Sequence, residues 1–180
     1  GDGILVSAYL VPSGNAVQGT AVTVTSVTDG GLPVSGTTYT WKVAGSTVQS
    51  GASNSYTPIE ADEGKALTVA VAFTDANSNS ETATGNAGTI QDSADAVVTL
   101  GGLTGGNAVQ GTAVSVTSVT DGSLPVSNIT YQWQRDGVNI SNATNATYMP
   151  TEADEGHALT VNVGFTDAVN DVETTTGTAG

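Results

Sequence analysis

Carboxylates are the side chains of this 180-residue sequence whose type and spacing could do chemistry. Seventeen Asp and Glu residues stand against three Lys and Arg residues, which gives a formal net charge of -14 at pH 7. Carboxylate oxygens are the ligands that Ca²⁺ prefers, whereas Zn²⁺ and Cu²⁺ favour His or Cys. Because the chain has one His and no Cys, its composition favours a hard cation, Ca²⁺, over a transition metal.

The same composition excludes several classes of function. A polyanion repels phosphate backbones and anionic lipid headgroups, so we expect neither nucleic-acid binding nor membrane-surface binding. The chain has no Cys and therefore no thiolate nucleophile, and its single His cannot supply a Ser–His pair to both halves. We therefore predict that the protein is not an enzyme. No apolar run approaches the roughly 18 residues that a membrane span needs, and we expect no membrane insertion.

A long internal repeat organises the sequence. The hexapeptide at residues 15–20 recurs at 107–112, and a constant offset of 92 then holds to the last residue. A period this long suits a complete domain that buries its own core rather than a solenoid unit. The sequence therefore predicts two tandem domains, module 1 at residues 1–91 and module 2 at 92–180.

Short alternating stretches predict strands in both modules. In the clearest one, Leu67, Val69, Val71 and Phe73 alternate with small or polar residues, as expected for a strand with one face in the core. Residues 21–25 alternate likewise until Val27 breaks the parity, which predicts a bulge or a strand end. The predicted strands of module 1 are residues 4–11, 21–25, 39–43, a stretch near Val48, 55–57, 66–73 and 81–90.

About seven short strands per module, with one Trp on the third, predict an immunoglobulin-like β-sandwich. The fold class is therefore all-β, with two sandwiches in tandem. The usual disulfide is missing, so apolar packing against Trp41 must take its place. A fibronectin-type or cadherin-type strand order stays open.

The predicted topology brings acidic loops of successive modules face to face. In a seven-strand sandwich the E–F loop lies at the carboxyl end, and the B–C and F–G loops lie at the amino end. Like charges about 4 Å apart repel by roughly 1 kcal/mol even in water, so such a cluster needs a cation. The predicted Ca²⁺ ligands come from the E–F loop of module 1, the linker and the upper loops of module 2: Glu60, Asp62, Glu63, Asp92, Asp95, Asp121, Asp167 and Asp171, with Glu173 as a further candidate.

Simpler roles for these acids stay open. Acidic loops also confer solubility, and Glu60 or Asp62 could cap a short helical turn. A second candidate site is the F–G hairpin of module 1, where oxygens alternate in the pattern Asp75-x-Asn77-x-Asn79-x-Glu81. Asn and Asp are also what hairpin turns select, and module 2 has Val169 in place of one ligand.

The residues that recur at the offset of 92 resemble a known family. They are Tyr39-x-Trp41, the Gly45 turn, Tyr56-Thr57-Pro58 with Met149 in place of Thr57 in the second copy, Glu60-Ala61-Asp62-Glu63-Gly64-x-Ala66-Leu67-x-Val69 and Phe73-Thr74-Asp75. This set resembles the tandem immunoglobulin-like repeats of large bacterial surface adhesins of the RTX, type I-secreted kind. The resemblance implies an extracellular, Ca²⁺-stiffened extender that projects a distal ligand-binding domain from the bacterial cell surface, with neighbouring repeats of the same chain as its partners.

Three functions compete at this point. The first is a spacer within a bacterial adhesin. The second is a module that binds a glycan or a protein through residues 42–57 and 134–149, where the two copies differ most. The third is an S-layer or phage structural module, which would self-associate laterally, whereas we expect a monomer.

Overall fold

The computed structural model describes residues 6–180. The chain divides between Ser93 and Ala94 into two compact units, two residues beyond the predicted division, and the names module 1 and module 2 are kept for them. Within the described residues all regular structure is β-strand apart from one short 3₁₀ turn in each module. The prediction of an all-β chain is therefore confirmed.

Module 1 contains two four-stranded antiparallel sheets. One is formed by β1 Val6–Val11, β2 Val22–Asp29, β3 Leu32–Pro33 and β6 Ser55–Tyr56, with β1, β3 and β6 all paired to β2. The other has the order β5-β4-β7-β8 and consists of β4 Ser35–Val43, β5 Ser46–Gly51, β7 Ala66–Thr74 and β8 Ser80–Thr89. The 3₁₀ turn Glu60–Asp62 connects β6 to β7.

Module 2 repeats this arrangement strand for strand. Its first sheet is formed by β9 Val97–Gly101, β10 Val114–Asp121, β11 Leu124–Pro125 and β14 Thr147–Tyr148. Its second sheet has the order β13-β12-β15-β16 and consists of β12 Ser127–Arg135, β13 Val138–Asn139, β15 Leu159–Thr166 and β16 Val172–Thr178. The 3₁₀ turn Glu152–Asp154 precedes β15.

The two sheets of each module pack face to face around one core. In module 1 the core joins Val22 and Val24 of one sheet to Trp41 and Val69 of the other. Each module is thus an immunoglobulin-like β-sandwich, as predicted. Its described part holds eight strands rather than about seven, because the two-residue strand at β3, and at β11 in module 2, is too short to show an alternation in the sequence. The predicted first strand began at Ile4, which lies outside the described residues, and its remainder forms β1.

Trp41 is at the centre of module 1 and is fully buried, as is its counterpart Trp133 in module 2. Each Trp stacks on a tyrosine of the opposite sheet, with ring centroids 6.0 Å apart for Trp41 and Tyr56 and 5.7 Å apart for Trp133 and Tyr148. Stacked aromatic rings add to the free energy gained from burial. Apolar packing on the tryptophan therefore holds the two sheets together, as the absence of Cys predicted.

A β-bulge in each first sheet turns an acidic side chain inward. In module 1 the pairing shifts between Tyr9 and Leu10, which leaves Thr25 as an extra residue of β2. Thr117 is the extra residue at the same place in module 2. The extra residue reverses the alternation, so Val27 and then Asp29 follow Val24 on the core side, and Asp29 is buried. The parity break at Val27 thus reflects a bulge two residues earlier.

Candidate metal centre

Three carboxylates converge at one end of module 2. Asp121 ends β10, Asp167 follows β15, and Glu173 is the second residue of β16. One oxygen from each of the three lies within 4.8 Å of the oxygens offered by the other two. Asp121 and Asp167 are 1% and 5% exposed, so two of these three charges lie almost entirely out of water. Such a cluster repels itself unless a proton or a cation compensates it.

Module 1 has the same triad at the equivalent positions. Asp29 ends β2, Asp75 follows β7, and Glu81 is the second residue of β8, again with one oxygen of each within 4.8 Å of the others. Asp29 and Asp75 are buried, like their counterparts in module 2. The triad therefore belongs to the repeat. Sequence reasoning placed Asp75 and Glu81 in a hairpin site but missed Asp29, although Asp29 lies 92 residues before the predicted ligand Asp121.

The β7–β8 hairpin uses its polar residues to hold Asp75. Asp75 Oδ1 accepts hydrogen bonds from the backbone N–H groups of Asn77 at 2.8 Å and Asn79 at 2.7 Å, and Oδ2 accepts one from Asn79 Nδ2 at 2.9 Å. These bonds, chiefly the two from Asn79, hold the pKa of Asp75 below its usual value. Turn chemistry therefore explains Asn77 and Asn79, which donate to Asp75.

The equivalent hairpin of module 2 lacks the side-chain donor. Asp167 Oδ1 accepts the backbone N–H groups of Val169 at 2.9 Å and Asp171 at 2.7 Å. Asp171 stands where module 1 has Asn79, and a carboxylate has no amide to donate. Asp167 Oδ2 is buried and accepts no hydrogen bond from residues 6–180.

The acids of the 3₁₀ turns divide into two kinds. Glu60 is 2% exposed and Glu63 is 9% exposed, and both lie on the loop that precedes β7. Asp62 instead closes its own turn, because its Oδ2 accepts the Tyr56 hydroxyl at 2.6 Å and the Ile59 N–H at 3.0 Å. Asp62 belongs to no group of three or more converging acids among the described residues. It therefore caps the turn, the role that the sequence left open beside that of a ligand.

Asp154, the counterpart of Asp62, makes a larger network. Asp154 Oδ2 accepts the Tyr148 hydroxyl and the Thr151 N–H, both at 2.8 Å. Its Oδ1 accepts Arg135 Nε at 2.7 Å and is also 2.5 Å from Arg135 Nη2. Burial acts to raise the pKa of Asp154, but the hydrogen bonds from Thr151, Tyr148 and Arg135 outweigh it and hold the pKa below its usual value. Module 1 has Val43 in place of Arg135.

Of the remaining predicted ligands, Asp92 and Asp95 lie near the division between the modules, and Asp171 lies in the β15–β16 hairpin. Asp92 is half-buried at the end of module 1, and Asp95 of module 2 is exposed. Asp95 Oδ1 accepts the N–H of Gly122, the residue after Asp121, at 2.9 Å. Asp171 is exposed and contributes its backbone N–H to Asp167. The structure thus brings Asp121 and Asp167 together with Glu173, and the shared site with ligands from both modules stays a prediction.

The stability of the fold is expected to fall at both ends of the pH scale. Asp75 and Asp154 have lowered pKa values in the folded state, so their stabilisation is present above about pH 3.9 and is lost as the pH falls through the folded values. Burial, aided by the hydrogen bond to Asp62, raises the pKa of Tyr56, so its stabilisation is complete below about pH 10 and is lost at higher pH. Urea unfolding at several pH values measures both the acid limb and the alkaline limb of the curve of stability against pH.

Tyr56→Phe is the matched variant for this experiment, because it keeps the ring that stacks on Trp41 and removes only the hydroxyl. The variant should flatten the alkaline limb of module 1 and leave the acid limb, to which Asp75 contributes, in place. An alkaline limb of unchanged steepness in Tyr56→Phe would contradict the assignment.

The similarities found between this chain and known proteins are to solved structures. No protein-family model matches it, and no curated protein matches it. It is similar to the structure of the three N-terminal domains of the bacteriophage RB49 Highly Immunogenic Outer Capsid protein (Hoc), with 18% identity and a TM-score of 0.34 over 97% of this chain and 57% of that one. It is also similar to Bacteroides ovatus mixed-linkage glucan utilization locus SGBP-B in complex with a mixed-linkage heptasaccharide.

The second similarity has 10% identity and a TM-score of 0.29 over 99% of this chain and 47% of that one. The chain therefore spans about half the length of both structures. Similarities at this level concern the fold alone and carry no argument about function. Among residues 6–180, no helix has both the length and the apolar character needed to cross a membrane.

Proposed function

We propose that the chain is a two-module spacer of a bacterial cell-surface adhesin, exposed outside the cell and stiffened by Ca²⁺. The observation that carries the proposal is the duplicated carboxylate triad. Each module places two buried aspartates and one glutamate at the same end of its sandwich. Solubility calls for exposed charges and does not account for buried ones, since moving a charge out of water is costly.

The chemistry of these groups matches calcium. Ca²⁺ takes about six to eight oxygen ligands with loose geometry, which suits carboxylates that come from three separate strands. A cation that binds only the folded state stabilises that state by mass action. In a tandem array, an ion held at the end of each module is proposed to restrict the adjoining linker. An array whose linkers are restricted is stiffer. The high negative charge of the chain adds electrostatic attraction for the cation.

Calcium is expected to raise the melting temperature of the chelator-treated protein. At a free Ca²⁺ concentration tenfold above the dissociation constant, binding to the folded state adds about 1.4 kcal/mol. For modules of this size that increment corresponds to about 5–10 °C. The maximum dimension in small-angle X-ray scattering should also increase, and chelation should reverse both changes. Differential scanning calorimetry and scattering on the same samples measure the two effects.

KCl at matched ionic strength is the control, because simple screening of the charge would act equally in both salts. If neither the melting temperature nor the maximum dimension responds to Ca²⁺, the calcium part of the proposal is wrong. If the melting temperature rises while the dimension stays constant, the ion stabilises the modules without stiffening the chain, and the spacer mechanism fails.

The second candidate function is ligand binding by module 2. A cleft of about 350 Å³ opens beside the β12–β13 hairpin, within the segment where the two copies differ most, and Arg135, Asp136, Asn139 and His157 line it in part. His157 Nδ1 lies 2.6 Å from Asp136 Oδ2, and this contact holds the pKa of Asp136 below its usual value. Charged and amide groups beside an open cleft suit a polar ligand such as a glycan. Saturable binding in an immobilised-glycan screen would favour this candidate over the spacer.

A further inference from the structure

Asp75 of the module 1 triad accepts a hydrogen bond that its counterpart Asp167 in module 2 does not. In module 1, Asn79 Nδ2 donates to Asp75 Oδ2 at 2.9 Å, so both oxygens of that aspartate accept hydrogen bonds. In module 2 the equivalent oxygen, Asp167 Oδ2, is buried and receives no hydrogen bond from the described chain, while Oδ1 accepts two. This difference in hydrogen bonding comes from one residue, because module 2 has Asp171 at the position where module 1 has Asn79.

A buried carboxylate oxygen without a donor is costly unless a ligand compensates it. Asp167 is 5% exposed, and water therefore has little access to it. The group belongs to a triad whose offered oxygens lie within 4.8 Å of one another. Two oxygens on opposite sides of a Ca²⁺ ion, each at about 2.3–2.6 Å, are separated by about 4.6–5.2 Å. Oxygens within 4.8 Å of one another are therefore close enough to be ligands of one ion.

We infer that module 2 holds a divalent, oxygen-ligated cation of its own between Asp121, Asp167 and Glu173, and that module 1 binds the same ion more weakly. The amide of Asn79 occupies the oxygen of Asp75 that corresponds to the ligand oxygen in module 2. A cation in module 1 must therefore share that oxygen with the amide or displace the hydrogen bond. The two copies of one repeat thus have different cation affinities, set by residue 79 in one and residue 171 in the other.

This inference deepens the proposed function. It rests on that proposal only for the identity of the ion as Ca²⁺. The site lies within a single module, so it does not depend on a spacer role. The inferred site differs from the ligand set that the sequence predicts, because Asp171 is not a ligand. Asp171 has no amide to donate to Asp167 Oδ2, and that oxygen therefore stays available to the cation. It also reverses the expectation that the hairpin of module 1 is the better site.

The test is a Ca²⁺ titration of the chelator-treated two-module chain, followed by amide chemical shifts. The N–H groups of Val169 and Asp171 donate to Asp167 and report module 2, whereas those of Asn77 and Asn79 donate to Asp75 and report module 1. The module 2 signals are expected to saturate at a Ca²⁺ concentration at least about tenfold lower than the module 1 signals, since in module 1 the ion competes with a charge-assisted hydrogen bond for the same oxygen.

Two substitutions at one position separate the amide from the charge. Asp171→Asn removes a negative charge and supplies the missing donor, whereas Asp171→Ala removes the same charge and supplies none. Asp171→Asn should weaken binding in module 2 by about tenfold more than Asp171→Ala does, because only asparagine supplies a donor that competes for Asp167 Oδ2. The reciprocal change Asn79→Asp should strengthen binding in module 1. Asp171 is exposed, so these variants are expected to fold.

Asp167→Asn tests the ligand itself. Asparagine keeps the Oδ1 acceptor for the two hairpin N–H groups and replaces the ligand oxygen by an amide, so the hairpin should persist while the module 2 signals lose their response to Ca²⁺. Equal midpoints in the two modules, equal effects of Asp171→Asn and Asp171→Ala, or no response of Val169 and Asp171 at millimolar Ca²⁺ would each overturn the inference. Residue-specific binding with no change in scattering would leave the site intact and overturn the spacer role.

Discussion

Replacing Trp133 with alanine is expected to lower the free energy of unfolding of module 2 by about 3–5 kcal/mol, the largest effect that we expect from a single substitution. Trp133 is fully buried and stacks on Tyr148 with ring centroids 5.7 Å apart. It joins the two sheets at the place where immunoglobulin domains usually have a disulfide. Since no covalent bond holds these sheets together, the cavity left by the indole is not offset elsewhere.

Each module contains one tryptophan, so the unfolding of the two modules can be measured separately. In Trp133→Ala, the fluorescence of Trp41 reports the urea unfolding of module 1, while far-UV circular dichroism reports both modules. We expect an early circular dichroism transition that the fluorescence of Trp41 does not follow. Val172→Ala is the control, since Val172 is 82% exposed and should change the stability little. A loss below about 1 kcal/mol in Trp133→Ala would show that another contact joins the sheets.

Replacing Asp154 with alanine is expected to destabilise module 2 by about 2–3 kcal/mol, the cost of leaving partly buried donors without a charged acceptor. Tyr148, Thr151 and Arg135 all donate to this carboxylate. Because the Arg135 side chain is 32% exposed, water replaces part of what the guanidinium loses. The tyrosine hydroxyl and the Thr151 N–H account for most of the expected loss.

Module 1 supplies the matched comparison. Asp62 accepts the same tyrosine and backbone donors, but Val43 stands in place of Arg135. Asp62→Ala should therefore cost somewhat less than Asp154→Ala, and Arg135→Ala should reduce the difference between them. Calcium affinity of the module 2 triad should be unchanged in Asp154→Ala, since Asp154 belongs to no converging acidic group among the described residues. A loss of Ca²⁺ binding together with normal folding would show that this carboxylate is a ligand after all.

Because the chain contains two copies of one repeat, equivalent substitutions in module 1 and module 2 can be compared within the same chain. Two modules with the same fold, at the same temperature and in the same solvent, differ at a known set of positions. Three differences bear on buried acids: Val43 against Arg135, Ile59 against Thr151 and Asn79 against Asp171. Each alters the partners of a carboxylate that the two modules share.

Several features of the fold could be predicted because they depend on neighbours in the chain. The alternation of Leu67, Val69, Val71 and Phe73 predicts a strand with one buried face, and all four are buried in β7. The parity break at Val27 predicts a bulge or a strand end, and the structure has a bulge at Thr25. The two-residue strand β3 was not predicted, since it is too short to show a period, whereas β6 lies within the strand predicted at residues 55–57.

The carboxylates show where prediction from sequence stopped. Topology led to a set of acids near module ends, but it could not tell a ligand from a cap. Asp62 became a cap because Tyr56 reaches it with a hydroxyl at 2.6 Å. Asp29 was overlooked because an acid at the end of a strand looks like a turn residue until the bulge is known to direct it inward.

By itself the sequence determined the repeat, the all-β class and the two tryptophan-centred cores, and it predicts a preference for a hard cation. These follow from residue types and from a side-chain period of two, which are properties of short stretches of chain. Only the tertiary structure decided which acids meet, because Asp121, Asp167 and Glu173 lie on three strands and one bulge sets the direction of the first. Only the structure also showed that one buried oxygen of Asp167 lacks the donor that Asn79 gives to Asp75, since a hydrogen bond depends on distances that spacing along the chain does not fix.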